Sequence, residues 1–184
     1  QSSIPVQNMV VALNDLLPPA IRVLQATDEQ PDFHARKSAS AKTYRYRIYR
    51  DAICPPFLAR YVWHYPYPLE EEAMGHAAAA IVGEYDFTSF AAADPERGRE
   101  EEERSAVRTI FSSEWRRCAD ELIYTVRGSG FLHHMVRNLV GTFLLVGKRS
   151  LQPEDMARIL QARDRSTAGA TAPGSGLYLV GVEY

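Results

Sequence analysis

Apolar residues at Val6, Met9, Val10, Leu13 and Leu17 recur at three- and four-residue steps, which predicts an amphipathic helix. Pro18 and Pro19 end it, because proline offers no backbone donor and clashes with the preceding turn. Ile21 to Ala26 reads as a short strand, and a connection rich in charge and proline follows to about Lys37. From Thr43 to Arg50 the period becomes two. Tyr44, Tyr46 and Ile48 share one face, and Arg45, Arg47 and Tyr49 share the other. Phe57 to Tyr67 predicts a loop and then another short strand, and Leu69 to Val82 a helix stopped by Gly83.

Ala91 to Arg104 is dense in charge without periodicity, which predicts a mobile surface loop. Ser105 to Ser113 and Leu122 to Arg127 read as strands. Gly128, Ser129 and Gly130 then turn the chain into a helix over Phe131 to Val146. A further helix over Pro153 to Arg163 carries Glu154 and Asp155 in its first turn, where negative charge suits the helix dipole. Leu177 to Val182 is the last predicted strand. Strands joined too briefly for parallel crossovers predict an α+β fold, an antiparallel sheet with helices packed on one face.

Composition narrows the class more than it identifies it. A chain of 184 residues with 46% hydrophobic and 24% charged positions suits a soluble globular domain, or one domain plus a piece of another. The absence of an initiating methionine leaves a fragment open. No apolar run approaches a membrane-spanning length, and the first residues lack a signal-peptide pattern, so the expected location is cytoplasmic. Cys54 and Cys118 lie far apart and outside any C-x-x-C pair. They are expected as core thiols. The net charge of −2 argues against a nucleic-acid binder, yet Arg22 to Arg60 holds eight Arg or Lys residues against four Asp or Glu. For RNA the local basic surface matters more than the sum.

The segment from Phe131 to Asn138 is the most informative. Phe131, Met135, Leu139 and Phe143 form one apolar ridge, and Leu132, Val136, Val140 and Leu144 another. Arg137 falls on the remaining strip, with His133 and Gly141 four residues to either side. A guanidinium stays charged, so inside such a helix it needs either an internal carboxylate or an external anion. Both readings stand at this point. His133 and His134 are neighbours in sequence without a completing ligand set, so no metal is expected. Gly128-Ser129-Gly130 lacks the lysine of a phosphate loop and reads as a turn. Tyr44 and Tyr46 suit either the core or stacking on a base, with Lys42, Arg45 and Arg47 placed beside them. His34 and Arg36 sit in either a solvated linker or a basic loop. No Gly-x-Ser-x-Gly elbow and no Cys/His pair at recognisable spacing points to a hydrolase.

Several segments, in order, resemble the bacterial tRNA pseudouridine synthase A family. They are Asn14 to Pro18 with Ile21 to Val23, Phe33 to Arg36, Lys42 to Tyr46, Gly83 to Phe90, Arg104 to Ile110, Gly130 to Gly141 and Gly176 to Leu179. The resemblance implies a pseudouridine-synthase-like fold of two α/β halves at a basic cleft. Here residues 1–37 would be the end of the N-terminal half and its linker, and 38–184 the C-terminal domain. It implies a cofactor-free, metal-free isomerisation of uridine in the anticodon arm of transfer RNA by a homodimer.

By match of motif, Tyr44 resembles the tyrosine that stacks beneath the flipped base, and Arg137 the arginine that pairs with the catalytic aspartate. Leu177 resembles a pocket residue. His34, Arg36, Lys42, Arg45 and Arg47 are the expected RNA contacts. The family's Arg-Thr-Asp-x-Gly-Val-His segment does not occur in these residues, and Asp15, Asp28 and Asp86 belong to other matching segments. The expectation is an inactive fragment of a synthase; the alternative is a non-catalytic RNA-binding module.

Overall fold

The computed structural model describes residues 4–93 and 105–184. The chain divides into two units, residues 1–38 and residues 39–184. The predicted loop over Ala91 to Arg104 falls mostly outside the described residues.

In the first unit, α1 spans Val6–Leu16. The Leu17 N–H still reaches Leu13 O at 3.0 Å before the backbone becomes extended. The Arg22 guanidinium donates to Ile21 O at 2.7 Å and to Pro18 O at 3.0 Å, tying down the turn that follows the helix. The strand expected from Ile21 to Ala26 is absent. Its backbone is satisfied by a side chain instead of a neighbouring strand: Asn14 Nδ2 donates to Val23 O and Asn14 Oδ1 accepts from Val23 N–H, both at 2.8 Å.

The second unit is a six-stranded sheet under helices. Its elements are β1 (Ala41–Tyr49), β2 (Trp63–His64), α2 (Glu71–Ala79), β3 (Gly83–Asp86), β4 (Val107–Cys118), β5 (Glu121–Gly128), α3 (Met135–Gly147), α4 (Asp155–Ala162) and β6 (Leu177–Glu183). The order runs β2-β1-β5-β4-β3, with β6 pairing β1 on the edge it shares with β2. All pairings are antiparallel except β1 with β2. The α+β architecture therefore follows the predicted pattern, with one short parallel pair added.

The alternation in β1 sorts the sheet into two faces. Tyr46 and Ile48 are fully buried with Leu122, Tyr124 and Val126 of β5, beneath Leu139, Val140 and Phe143 of α3. Met74, Ile81, Met156 and Ile159 extend this core. The opposite face carries Arg45, Arg47, Ile123 and Glu121. Tyr124 keeps its hydroxyl satisfied inside the core by Ser113 Oγ at 2.8 Å.

Three boundaries differ from expectation. β4 continues to Cys118, because Glu114 and Arg116 stand on the open face while Arg117 reaches Glu71 at 2.7 Å. Gly83 to Asp86 is a strand rather than the mere end of a helix, and Gly83 takes φ +124°, a value that suits glycine. α3 begins at Met135, because His134 is left-handed at φ 57°. Phe131 and Leu132 are thus irregular and His133 and His134 a turn, so Phe131 leaves the predicted helical ridge. The cysteines are not core residues: Cys54 is half-buried, and Cys118 is exposed where β4 ends.

Candidate active site

Of the thirteen residues of α3, all but Arg137 and Leu145 are buried. The predicted central helix is therefore present, and Arg137 stands at its N-terminal end as the charged exception. Its Nε donates to Ala172 O at 2.6 Å, and its Nη1 lies 3.1 Å from His134 Nε2. For that second contact to be a hydrogen bond, the imidazole must be neutral with its proton on Nδ1. Among the described residues Arg137 meets no carboxylate. An internal salt bridge, one of its two open readings, is not what holds it here. The strip predicted for Arg137 is also corrected. His133 lies outside the helix and turns to Ala93 O at 3.1 Å, while His134 takes the place beside the guanidinium.

The guanidinium reaches the loop that leads into β6, passing about 4.0 Å from where a Cβ on Gly174 would stand. Tyr46 shares this corner. Its hydroxyl donates to Pro173 O at 2.6 Å. Burial raises the phenol's pKa despite the opposing field of Arg137, so it remains a neutral donor. Leu177 pairs with Tyr46 across β1 and β6 and packs half-buried against the core. Tyr44, two residues earlier on the same face of β1, packs edge-on against Phe131 at 5.0 Å. Its pKa is raised by burial. The predicted Tyr44, Arg137 and Leu177 thus sit on, or reach towards, one face of the sheet near the start of β6.

The expected RNA-contacting cations are arranged differently. Arg45 and Arg47 point to the opposite face, where they border an open groove of about 650 Å³ with Tyr49, Ile123 and Tyr178. Arg47 forms a two-pronged pair with Glu121 at 2.5 and 2.6 Å, which raises its pKa and commits its charge. Lys42 and Arg45 meet no carboxylate among the described residues. His34 and Arg36 lie in the first unit, where His34 Nδ1 accepts from Arg36 N–H at 3.2 Å and braces its own turn. Arg50, part of the basic stretch, is structural: it donates to Tyr67 O at 2.7 Å and to Tyr65 O.

Asp86 accepts from Thr88 N–H at 2.9 Å and Thr88 Oγ1 at 2.6 Å, and pairs with Arg163 at 3.1 Å. The Thr88 hydroxyl, the Thr88 amide and Arg163 hold its carboxyl below the usual range against the effect of burial. Such a carboxylate braces a turn and is not free to act as a nucleophile. His133 and His134 stack face to face at 3.9 Å, a geometry without a shared ligand point. No group of three or more His, Cys, Asp or Glu side chains that could hold a metal occurs among the described residues. Nor is any described helix long and apolar enough to cross a membrane.

Sequence reasoning missed His134 and the carbonyls of Ala172 and Pro173. The positive φ at His134, which moves its ring beside Arg137, has no signature in hydrophobic periodicity. Backbone acceptors have none in any side-chain pattern.

A helix-covered antiparallel sheet with an arginine at its upper corner defines a class, and residues 77–184 match the family described as tRNA pseudouridine synthase. The whole chain is similar to tRNA pseudouridine synthase A of Solibacter usitatus, 52% identical over 184 residues, covering 100% of this chain and 72% of that protein. It is also similar to the proteins of that name from Halalkalibacterium halodurans and Bacillus subtilis. The former is 47% identical over 95% of this chain and 64% of its own length, the latter 43% over 99% and 71%. The chain belongs to the tRNA pseudouridine synthase A family, and it spans about 70% of these relatives.

Proposed function

We propose that residues 1–184 form the arginine- and tyrosine-bearing part of an enzyme that isomerises uridine to pseudouridine in the anticodon arm of transfer RNA. The nucleophilic aspartate is supplied from outside these residues. One observation carries the reading: Arg137 is a half-buried guanidinium held by a carbonyl and an imidazole, with no carboxylate among the described residues. Those neutral partners orient its fork without neutralising it, so an incoming carboxylate gains both a fixed cation and a planar donor pair.

In this reaction the N1–C1′ bond of the flipped nucleoside breaks, the uracil turns, and a C5–C1′ bond forms, with the C5 proton lost and a proton taken up at N1. Tyr44 supplies a flat surface beneath the base, Leu177 closes the apolar side of its pocket, and Arg137 holds the aspartate. Lys42 and Arg45 are the stronger candidates for the phosphate backbone, because Glu121 already engages Arg47. His34 and Arg36 are further RNA contacts, on the first unit. The full protein acts as a cytoplasmic homodimer, and residues 1–184 alone are inactive.

Transfer RNA labelled with tritium at C5 of uridine tests this directly, since each isomerisation releases one tritium to water. The full-length protein is expected to release label, its Arg137→Ala variant to release almost none, and purified residues 1–184 none. Release by residues 1–184 would sink the claim that the nucleophile lies elsewhere. Transfer-RNA binding without release by the full-length protein would favour the non-catalytic module.

A further inference from the structure

We infer that Asn138, acting with Arg165 and Thr171, is a positioning residue that sets where the Arg137 guanidinium stands. This rests on the role proposed above for Arg137. Asn138 directly follows Arg137 in α3, is fully buried, and uses both ends of its amide on two distant segments of the chain. Its Nδ2 donates to Phe90 O at 2.7 Å. Its Oδ1 accepts from Thr171 Oγ1 at 2.7 Å and from Arg165 Nη2 at 3.0 Å. Thr171 Oγ1 in turn accepts from Arg165 Nη2 at 3.2 Å, closing a triangle.

One turn further on, Thr142 Oγ1 donates to Asn138 O at 2.8 Å and accepts from Gly169 N–H at 2.9 Å. Between these anchors the loop touches the helix backbone to backbone: a Cβ on Gly141 would lie 1.8 Å from Ala170 O. Residues 137, 138, 141 and 142 are one face of α3, so the segment from Arg165 to Ala172 is locked to that face at fixed height.

The lock ends at the site. Ala172 N–H donates to Arg137 O at 3.2 Å, and Ala172 O accepts from Arg137 Nε. The carbonyl that aims the guanidinium is therefore one residue beyond Thr171, and the carbonyl that takes the Tyr46 hydroxyl is two beyond. Losing the Thr171 hydroxyl frees this stretch and leaves the Asn138 carbonyl with one donor fewer. Displacing a catalytic group by about 1 Å is enough to lower turnover by roughly a hundredfold.

The test uses the full-length protein carrying Thr171→Val, which keeps the side-chain shape and removes only the hydroxyl. The expected result is a kcat lower by about tenfold or more, with KM for transfer RNA within about threefold and recovery in Thr171→Ser. In protein labelled with ¹⁵N at arginine Nε, the Arg137 Nε–H is expected to exchange with water faster in Thr171→Val than in the native protein. A native kcat per folded molecule with a lowered melting temperature would assign Thr171 to stability alone and overturn the inference. Unchanged Arg137 Nε–H exchange would overturn it also, and that readout needs no turnover. Native turnover in Arg137→Ala would instead overturn the reading of Arg137 itself, while the exchange measurement still decides whether the triangle positions it.

Discussion

Helices α1 and α3 announce themselves in the sequence by the same three- and four-residue apolar step, yet they meet opposite fates. No described residue from position 4 to 38 is buried, and on the α1 stripe Val6, Met9 and Val10 are no more than half-buried while Leu13 is 38% exposed. In α3 only Arg137 and Leu145 escape burial. Periodicity reports that a stripe exists. It does not report whether anything covers the stripe, and the energetic weight of a helix comes from that cover.

The largest effect is expected from Phe143→Ala, which empties a fully buried site against Trp115 and Tyr124. It should cost about 3–5 kcal/mol, read as a lower denaturation midpoint. Asn14→Ala comes next, because it removes the amide that clasps both backbone groups of Val23. An effect of about 1 kcal/mol is expected, confined to the first unit, with faster hydrogen exchange at the Val23 N–H and no change in the sheet amides.

Asp86→Asn should act only at the acid end. The carboxyl's pKa is depressed in the folded state, so its stabilisation is full above the unfolded value of about 4 and fades as pH falls through the folded value. Denaturant midpoints at pH 7 and pH 3 should therefore differ less in the variant than in the native chain. Leu16→Ser is the smallest, within about 0.5 kcal/mol, since that side chain is already in water. A loss of 2 kcal/mol or more there would mean that α1 is covered in solution and that the contrast with α3 is false.

How much was legible follows the same division. β1, β5, β6, α3 and α4 were readable because each carries a long or clean pattern. The stretch from Ile21 to Ala26 has strand composition but finds an asparagine where a neighbouring strand was expected. The charges from Glu114 to Arg117 hid the far end of β4, although an open sheet face accommodates them easily. At the candidate site, Arg137 was conspicuous because charge is rare in such a helix, and the alternation from Tyr44 to Tyr49 correctly divided the aromatic from the cationic face. The two carbonyls and the imidazole that orient the site were not legible, because a left-handed turn and a loop docked on glycine bring them there.

The edge of β1 has a consequence for how the protein comes into being. β6 is its partner over Ala41 to Tyr46, and Ser40 N–H meets Glu183 O across 143 positions of sequence. Loop-closure entropy makes pairings of such separation slow relative to hairpins like that of β4 and β5. During synthesis β1 must emerge and wait while most of the domain is made. The corner that holds Arg137, Tyr46 and Leu177 can close only after β6 has left the ribosome. A nascent chain that has already folded its β4–β5 hairpin therefore still lacks its site.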